Sequence, residues 1–340
     1  YHCLSSGINA EYMGIRQTMQ GEVCVTGGTG YIASWLIKRL LQRGYTVRTT
    51  VRSPQSDVSF LTTLPAASER LRICYANLGA PDSFAAAVEG CVGVFHIAHP
   101  TDLGGAEPEP VVTQRSVDAA LGILRACLNS KTVRRVVYTS SASAVAFRDA
   151  PDDAILDEGS WSDVDYARAR VPFGVAYVVS KTLTEKAVLE FGEKQGLDVV
   201  SLVPTFVLGP FLGPRIPGSV SDTLAMVLGK EEQYGMLINI SMVHVDDLAS
   251  AHIFLLESPR AKGRYICSSD ELSIREMAEF LSAKYPQFPI PTPDSVKDVK
   301  GPRMNGMSSK KLLDAGFKYK YGLDEMYDEA IQCCKEKGFL

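Results

Sequence analysis

The chain has 340 residues, 46% hydrophobic and 22% charged, with a formal net charge of −4. That is ordinary globular composition, with room for one large domain and a smaller lobe. It carries no basic block or stripe, which argues against nucleic acid and anionic membrane as partners. No apolar run reaches the roughly 18 residues a membrane span needs, so none is expected.

Residues 1–20, "YHCLSSGINAEYMGIRQTMQ", match no element of the pattern that follows and lack the apolar core of a secretion signal. They are expected to be a disordered or non-native leader, with Met13 or Met19 as the natural start. From Gly21 short apolar runs alternate with helical stretches. "EVCVTG" reads as a strand, "GYIASWLIKRLLQRG" as a helix, and "YTVRTTVR", "LRICYANL", "CVGVFHIA" and "VRRVVYTSS" as further strands between helical segments. "VAYVVSKTLTEKAVLEF" reads as an apolar-faced helix and "LDVVSLVP" as the strand after it. Strands this apolar, separated by helices, imply a doubly wound parallel sheet in an α/β fold, with ligands at the carboxyl ends of the strands.

After Pro204 the rhythm breaks. "PTFVLGPFLGPRIPGSV" is rich in Pro and Gly and reads as an irregular connection. "MVHVDDLASAHIFLLES" begins as a strand and continues as a helix, "GRYICSS" is short and extended, and "SIREMAEFLSAKYP" and "GLDEMYDEAIQCCKEKG" are helical. The expected division is a dinucleotide-binding domain over 21–204 and, over 205–340, mainly a substrate lobe, with segments around 238–257 returning to the large sheet.

Eight cysteines, Cys3, Cys24, Cys74, Cys91, Cys127, Cys267, Cys333 and Cys334, fit neither a zinc site nor a disulfide framework. A reduced, cytoplasmic setting is expected. His96, His244 and His252 are scattered, and no metal site is expected.

"VCVTGGTGYIASW" places Gly27, Gly28 and Gly30 between the first strand and the first helix, with Ala33 as the third small position. Glycine there lets the backbone approach a pyrophosphate, and the helix N-terminus offers free N–H groups to it. At the end of the second strand an NAD site would place Asp or Glu. "RTTVRSPQ" has Arg52 instead, suited to a 2′-phosphate. NADP(H) is therefore expected, with NAD(H) the alternative. Arg48 is either a second contact or a surface arginine, and Asn77 either edges the adenine or serves a turn.

Tyr177 and Lys181 lie one helical turn apart. A lysine beside the phenol, together with a cationic nicotinamide ring, is expected to pull its pKa down and ready it for proton exchange with a carbonyl oxygen. "VVYTSSAS" ends a strand in hydroxyls, and Ser141 is expected to hold that carbonyl, although Ser140 and Ser141 can equally cap the strand. His99 in "IAHPTD" either bonds a substrate oxygen, acts as a second acid, or is a loop histidine with a backbone partner.

"TGGTGYIA", "TSS" and "YVVSK", in this order, resemble the extended short-chain dehydrogenases/reductases, and in particular their plant dihydroflavonol-reductase-like branch. The resemblance runs from about Gly21 to Leu340 and is also carried by "WSDVDYARARVPFG" and "IQCCKEKGFL". It implies a Ser141–Tyr177–Lys181 catalytic set. It implies Gly27, Gly30, Tyr31 and Ile32 at the pyrophosphate, Arg52 at the 2′-phosphate, and Asn77 and Leu78 beside the adenine. Ala98 falls near the ribose, Pro204 and Val207 near the nicotinamide, and Ser219 in a loop over the cofactor. Two substrate-gripping positions depart from the branch: Ala146 replaces Asn and Ser241 replaces Gln, pointing away from dihydroflavonol itself. His99 stands where relatives carry Ser or Thr. No Lys follows Arg52 in "SPQSDV". Phe206, Phe211, Leu212, Ile216, Met226 and Met236 offer apolar surface to line a pocket, several of them as plain lobe core.

The resulting expectation is NADPH-dependent reduction of a ketone on a flat aromatic plant metabolite, (iso)flavonoid-like, by a monomer or weak dimer. The alternative is NAD(P)⁺-dependent oxidation of an alcohol or hemiacetal, as in an alkaloid-oxidising relative. A dinucleotide-sensing scaffold would have no need of a proton donor.

Overall fold

The computed structural model describes residues 21–100, 107–151, 153–171, 174–302 and 304–340; the leader expected over 1–20 lies outside them. Seven parallel strands form the large sheet: β1 (Glu22–Val25), β2 (Thr46–Val51), β3 (Leu71–Tyr75), β4 (Gly93–His96), β5 (Arg135–Thr139), β6 (Val199–Pro204) and β9 (Gly263–Cys267). Their order is β3-β2-β1-β4-β5-β6-β9. The order reverses between β1 and β4, where a doubly wound sheet opens its ligand crevice.

Both faces of the sheet are covered, and the strands show it residue by residue. On β1, Val23 and Val25 join the core under helices Tyr31–Gln42 and Val245–Glu257, while Cys24 between them joins the opposite core. On β5, Val136 and Tyr138 face one side and Val137 the other. Helices Glu109–Ser130 and Val175–Gln195 pack on the Cys24 side. A strand buried on both faces has no polar face to alternate with, which is why these runs read as continuous apolar segments.

The second lobe has its own core, built from Leu208, Met226, Leu237, Met242, Leu281 and Tyr327 among others. Its three-stranded sheet, β10-β8-β7, comprises β7 (Phe206–Leu208), β8 (Asn239–His244) and β10 (Asp270–Ser273). Helix Ile274–Lys284 starts with a capping box. Glu276 N–H donates to Ser273 Oγ (3.3 Å), and Ser273 N–H donates to the Glu276 carboxylate (2.8 Å). The expected return of 238–257 to the large sheet is corrected in part. Strand Asn239–His244 pairs within the small sheet, helix Val245–Glu257 covers the large one, and the strand that rejoins it is Gly263–Cys267. The "PTFVLGPF" run read as irregular contains β7.

Among the described residues no helix is long and apolar enough to cross a membrane, no cluster could hold a metal ion, and Cys24, Cys74, Cys91, Cys127, Cys267, Cys333 and Cys334 are free thiols.

Candidate active site

The glycine turn sits at the reversal point of the sheet. Gly27 adopts φ +75°, and a Cβ built on it would lie 3.1 Å from the Ala98 Cβ beyond β4. A Cβ on Gly28 would fall 2.2 Å from Thr49 Oγ1. Both positions therefore need glycine, one for its backbone angle and the other for space. The turn is pinned by Gly28 N–H donating to the Thr50 carbonyl (2.9 Å) and Gly27 N–H to Thr50 Oγ1 (3.1 Å). Gly30 begins helix Tyr31–Gln42 with no side-chain cap, so the first helical N–H groups stay available to an anion. A pyrophosphate fits this cradle.

Across the crevice, Ser141 ends the β5 connection as N-cap of a short 3₁₀ turn, its Oγ accepting from Ser143 N–H (3.1 Å). The Tyr177 phenol lies close enough to Ser141 for the serine to lower its pKa, and Tyr177 and Lys181 share one face of helix Val175–Gln195. Lys181 is buried, and its Nζ donates to the Thr139 carbonyl at the end of β5 (3.0 Å).

A family model described as "NAD dependent epimerase/dehydratase family" matches residues 23–267. Vestitone reductase of Medicago sativa is 56% identical over 324 residues, covering 94% of this chain and 99% of that one. Its crystal structure superposes with a TM-score of 0.87, covering 94% of this chain and all of the other at 55% identity. Protein BRI1-5 ENHANCED 1 of Arabidopsis thaliana is 51% identical (94% and 90% covered), and a noscapine synthase of Papaver somniferum 46% (94% and 93%). The chain belongs to the NAD-dependent epimerase/dehydratase family. Within it, the extended short-chain dehydrogenase/reductase architecture is the one seen here, and the family's cofactor is a nicotinamide dinucleotide.

Lys181 and a cationic nicotinamide ring together are expected to pull the Tyr177 phenol down; of the protein's own groups, burial pushes it up and Ser141 partly offsets this. Burial lowers Lys181 to about 8, against a raising contribution from Glu185. The ammonium is bonded to a backbone carbonyl, and the phenol is held protonated at neutral pH.

His99 lies half-buried past β4, and its partner is a side chain rather than the backbone. Its Nε2 is 3.2 Å from Ser180 Oγ, and its ring stands at 88° to the Tyr177 ring, with centroids 5.8 Å apart. Burial, then Lys181 and His96, hold its pKa well below the ordinary histidine value. A lowered pKa disfavours the imidazolium that a second acid would use.

Arg52 is exposed, and among the described residues no ion pair occupies it. Arg48 is spent elsewhere, donating to the Ala86 and Glu89 carbonyls (both 2.8 Å) and pairing with Glu22, so it is neither a free surface arginine nor free for a second cofactor contact. Asn77 Oδ1 accepts from Gly79 N–H (2.9 Å) as a turn residue, and Leu78 packs partly against the Cys24-side core. The Tyr31 phenol donates to the Gly209 carbonyl (3.1 Å), tying the first helix to the lobe; its share of an anion site is its backbone N–H, like that of Ile32. Pro204 closes β6, Val207 points into the large-sheet core, and Ser219 lies in helix Gly218–Thr223.

Of the expected substrate positions, Met226 is fully buried in the lobe core, as is Phe211, so neither lines a pocket. Met236 is exposed and Phe206 packs half-buried on the same core. Ala146 and Ser241 are both buried.

Two supports were not read from the sequence. Thr26 Oγ1 accepts from the N–H groups of Ile97 and Ala98 (both 3.0 Å), so its single proton goes to His96 Nδ1 (3.0 Å). This fixes the loop beyond β4 over the glycine turn. Glu185, fully buried, accepts from Ser140 Oγ (2.7 Å), Ser201 Oγ (2.6 Å) and the Arg264 guanidinium (2.9 and 3.1 Å). That carboxylate locks β5, β6, β9 and the Tyr177 helix together beside Ser141. Glu185 lies one turn beyond Lys181, but nothing in the sequence named its partner 79 residues away.

Proposed function

We propose that this chain reduces a ketone on a flat aromatic metabolite, of the (iso)flavonoid type, to the alcohol at the expense of NADPH. The observation that carries the reading is the Ser141–Tyr177–Lys181 set, assembled across the crevice from the glycine turn in a chain 56% identical to vestitone reductase. Gly27, Gly30 and the N–H groups of Tyr31 and Ile32 hold the pyrophosphate, and Arg52 reads the 2′-phosphate, which favours NADPH over NADH. The bound cofactor supplies the hydride.

Ser141 Oγ and the Tyr177 phenol converge on the substrate carbonyl oxygen. Hydride arrival leaves charge on that oxygen, and the Tyr177 hydroxyl gives its proton there. A phenol held protonated by burial is in the form that reduction needs. The Lys181 ammonium, one helical turn from Tyr177, supplies the positive charge that offsets the developing phenolate. A cytoplasmic setting and a monomer or weak dimer complete the reading.

The test is NADPH oxidation, followed at the reduced-nicotinamide absorbance band, against isoflavanones, dihydroflavonols and simple aromatic ketones. NADP⁺ reduction with alcohols and lactols is measured in parallel. Turnover of an isoflavanone with NADPH is expected; turnover confined to the oxidative panel would replace this reading.

A further inference from the structure

We infer that His99 is a positioning residue for Tyr177: it holds the catalytic phenol in place through Ser180 and through direct ring contact. The inference rests on Tyr177 being the proton donor.

Ser180 Oγ donates to the Tyr177 carbonyl (3.0 Å). A carbonyl only accepts, so the single hydroxyl proton is committed there. The contact between Ser180 Oγ and His99 Nε2 (3.2 Å) then runs one way: the imidazole carries its proton on Nε2 and donates it. The network thus assigns the tautomer and makes His99 the end of a chain, His99 Nε2–H to Ser180 Oγ–H to Tyr177 C=O. The same imidazole packs edge-on against the Tyr177 ring. One residue from the loop beyond β4 therefore grips both the backbone and the side chain of Tyr177.

The grip matters because of where Tyr177 sits. Helix Val175–Gln195 opens at Gly174, which has no side chain with which to cap it, and Tyr177 lies in the first turn. First turns without a cap fray. Ser180 adds its own disturbance, since a hydroxyl bonding back to the preceding turn competes with the helical ladder. The bond from His99 gives that buried hydroxyl a donor and, through Ser180 and the Tyr177 carbonyl, ties the start of the helix to the loop beyond β4. The loop carrying His99 is itself anchored, because Ala98 N–H donates to Thr26 Oγ1 and the Ala98 side chain meets the glycine turn. Cofactor cradle and proton donor are thereby held at a fixed separation. The charged and titratable groups around the imidazole are Lys181 and Tyr177 on the helix and His96 on β4; burial and the Lys181 charge favour its neutral form, whose one proton the network places on Nε2.

The experiment compares His99→Leu, which removes donor and ring, with His99→Gln, which keeps an N–H donor near the Nε2 position, each alone and in a Tyr177→Phe background. Displacing a reacting group by about 1 Å costs on the order of a hundredfold in rate. His99→Leu is expected to lower kcat by roughly ten- to a hundredfold. The KM for NADPH and the far-ultraviolet circular dichroism should hold. His99→Gln should recover most of the loss, and His99→Leu should cost nothing further once Tyr177 is Phe. A kcat for His99→Leu within about twofold of the parent, no recovery with Gln, or an undiminished loss in the Tyr177→Phe background would overturn the inference. If Tyr177→Phe itself retains full turnover, it is the proton-donor reading that fails, and the inference with it.

Discussion

Replacing Lys181 by Met should stabilise the fold while abolishing turnover. Lys181 is 4% exposed, and burial lowers its pKa from 10.5 to about 8. The folded state therefore binds this proton less tightly than the unfolded chain does. Below about pH 8 both states are protonated and the whole penalty of burying the ammonium is present. At about 1.4 kcal/mol per pH unit it amounts to roughly 3 kcal/mol. Between about 8 and 10.5 the unfolded chain alone holds the proton, stability rises with pH, and the penalty disappears. Methionine is unbranched and fills much the same space without charge. Its cost is the lost donor to the Thr139 carbonyl, about 1 kcal/mol. Lys181→Met should thus be more stable than the parent by about 1–2 kcal/mol at pH 7. It should lose that advantage by about pH 10. Urea denaturation of both proteins at pH 7 and near pH 10, with NADPH turnover measured alongside, gives the comparison. A variant less stable at pH 7, or an advantage that does not change with pH, would refute the reasoning.

Arg52→Ala touches an exposed guanidinium, so unfolding should shift by less than about 0.5 kcal/mol. The KM for NADPH should rise at least about tenfold, the loss expected for a charge-assisted contact, with the KM for NADH nearly unchanged. An unchanged NADPH-to-NADH preference would remove Arg52 from the 2′-phosphate site. Gly28→Ala forces a Cβ against Thr49 Oγ1, which is buried and donates to the Val25 carbonyl (2.8 Å) and so cannot rotate away freely. Overpacking there should cost about 1–3 kcal/mol and weaken the cradle. Thermal unfolding with and without NADPH should show a lower midpoint and a smaller rise on adding cofactor.

The large sheet was legible because its strands are buried on both faces and read as unbroken apolar runs. β7 escaped because it is three residues long and set among Pro and Gly; its pairing with Met242, Val243 and His244 comes from more than thirty residues away. β10, "DELS", is polar and half-exposed, and exists only because β8 offers it an edge. At the site, spacing alone put Tyr177 and Lys181 on one face. Spacing could not say that Lys181 would turn to the Thr139 carbonyl, because that acceptor lies 42 residues earlier. The buried face of helix Val175–Gln195 is mixed rather than purely apolar, with Val178, Val179 and Val188 beside polar groups. Ser180, Lys181, Thr182, Thr184 and Glu185 are all buried in it. Several of them are satisfied by distant residues, Arg264 and Ser140 for Glu185 and His99 for Ser180. Strand alternation could not separate Arg48 from Arg52, because residues four apart share a face; Arg48 is set apart by its bonds to Ala86, Glu89 and Glu22.

The central claim is that the Tyr177 hydroxyl supplies the proton, and Tyr177→Phe removes that one oxygen while keeping the ring that packs against His99. With NADPH and the best ketone of the panel, kcat should fall by about 10²–10⁴-fold, the usual worth of a positioned general acid, at an unchanged Kd for NADPH. A Phe variant that turns over within a few-fold of the parent would contradict the account.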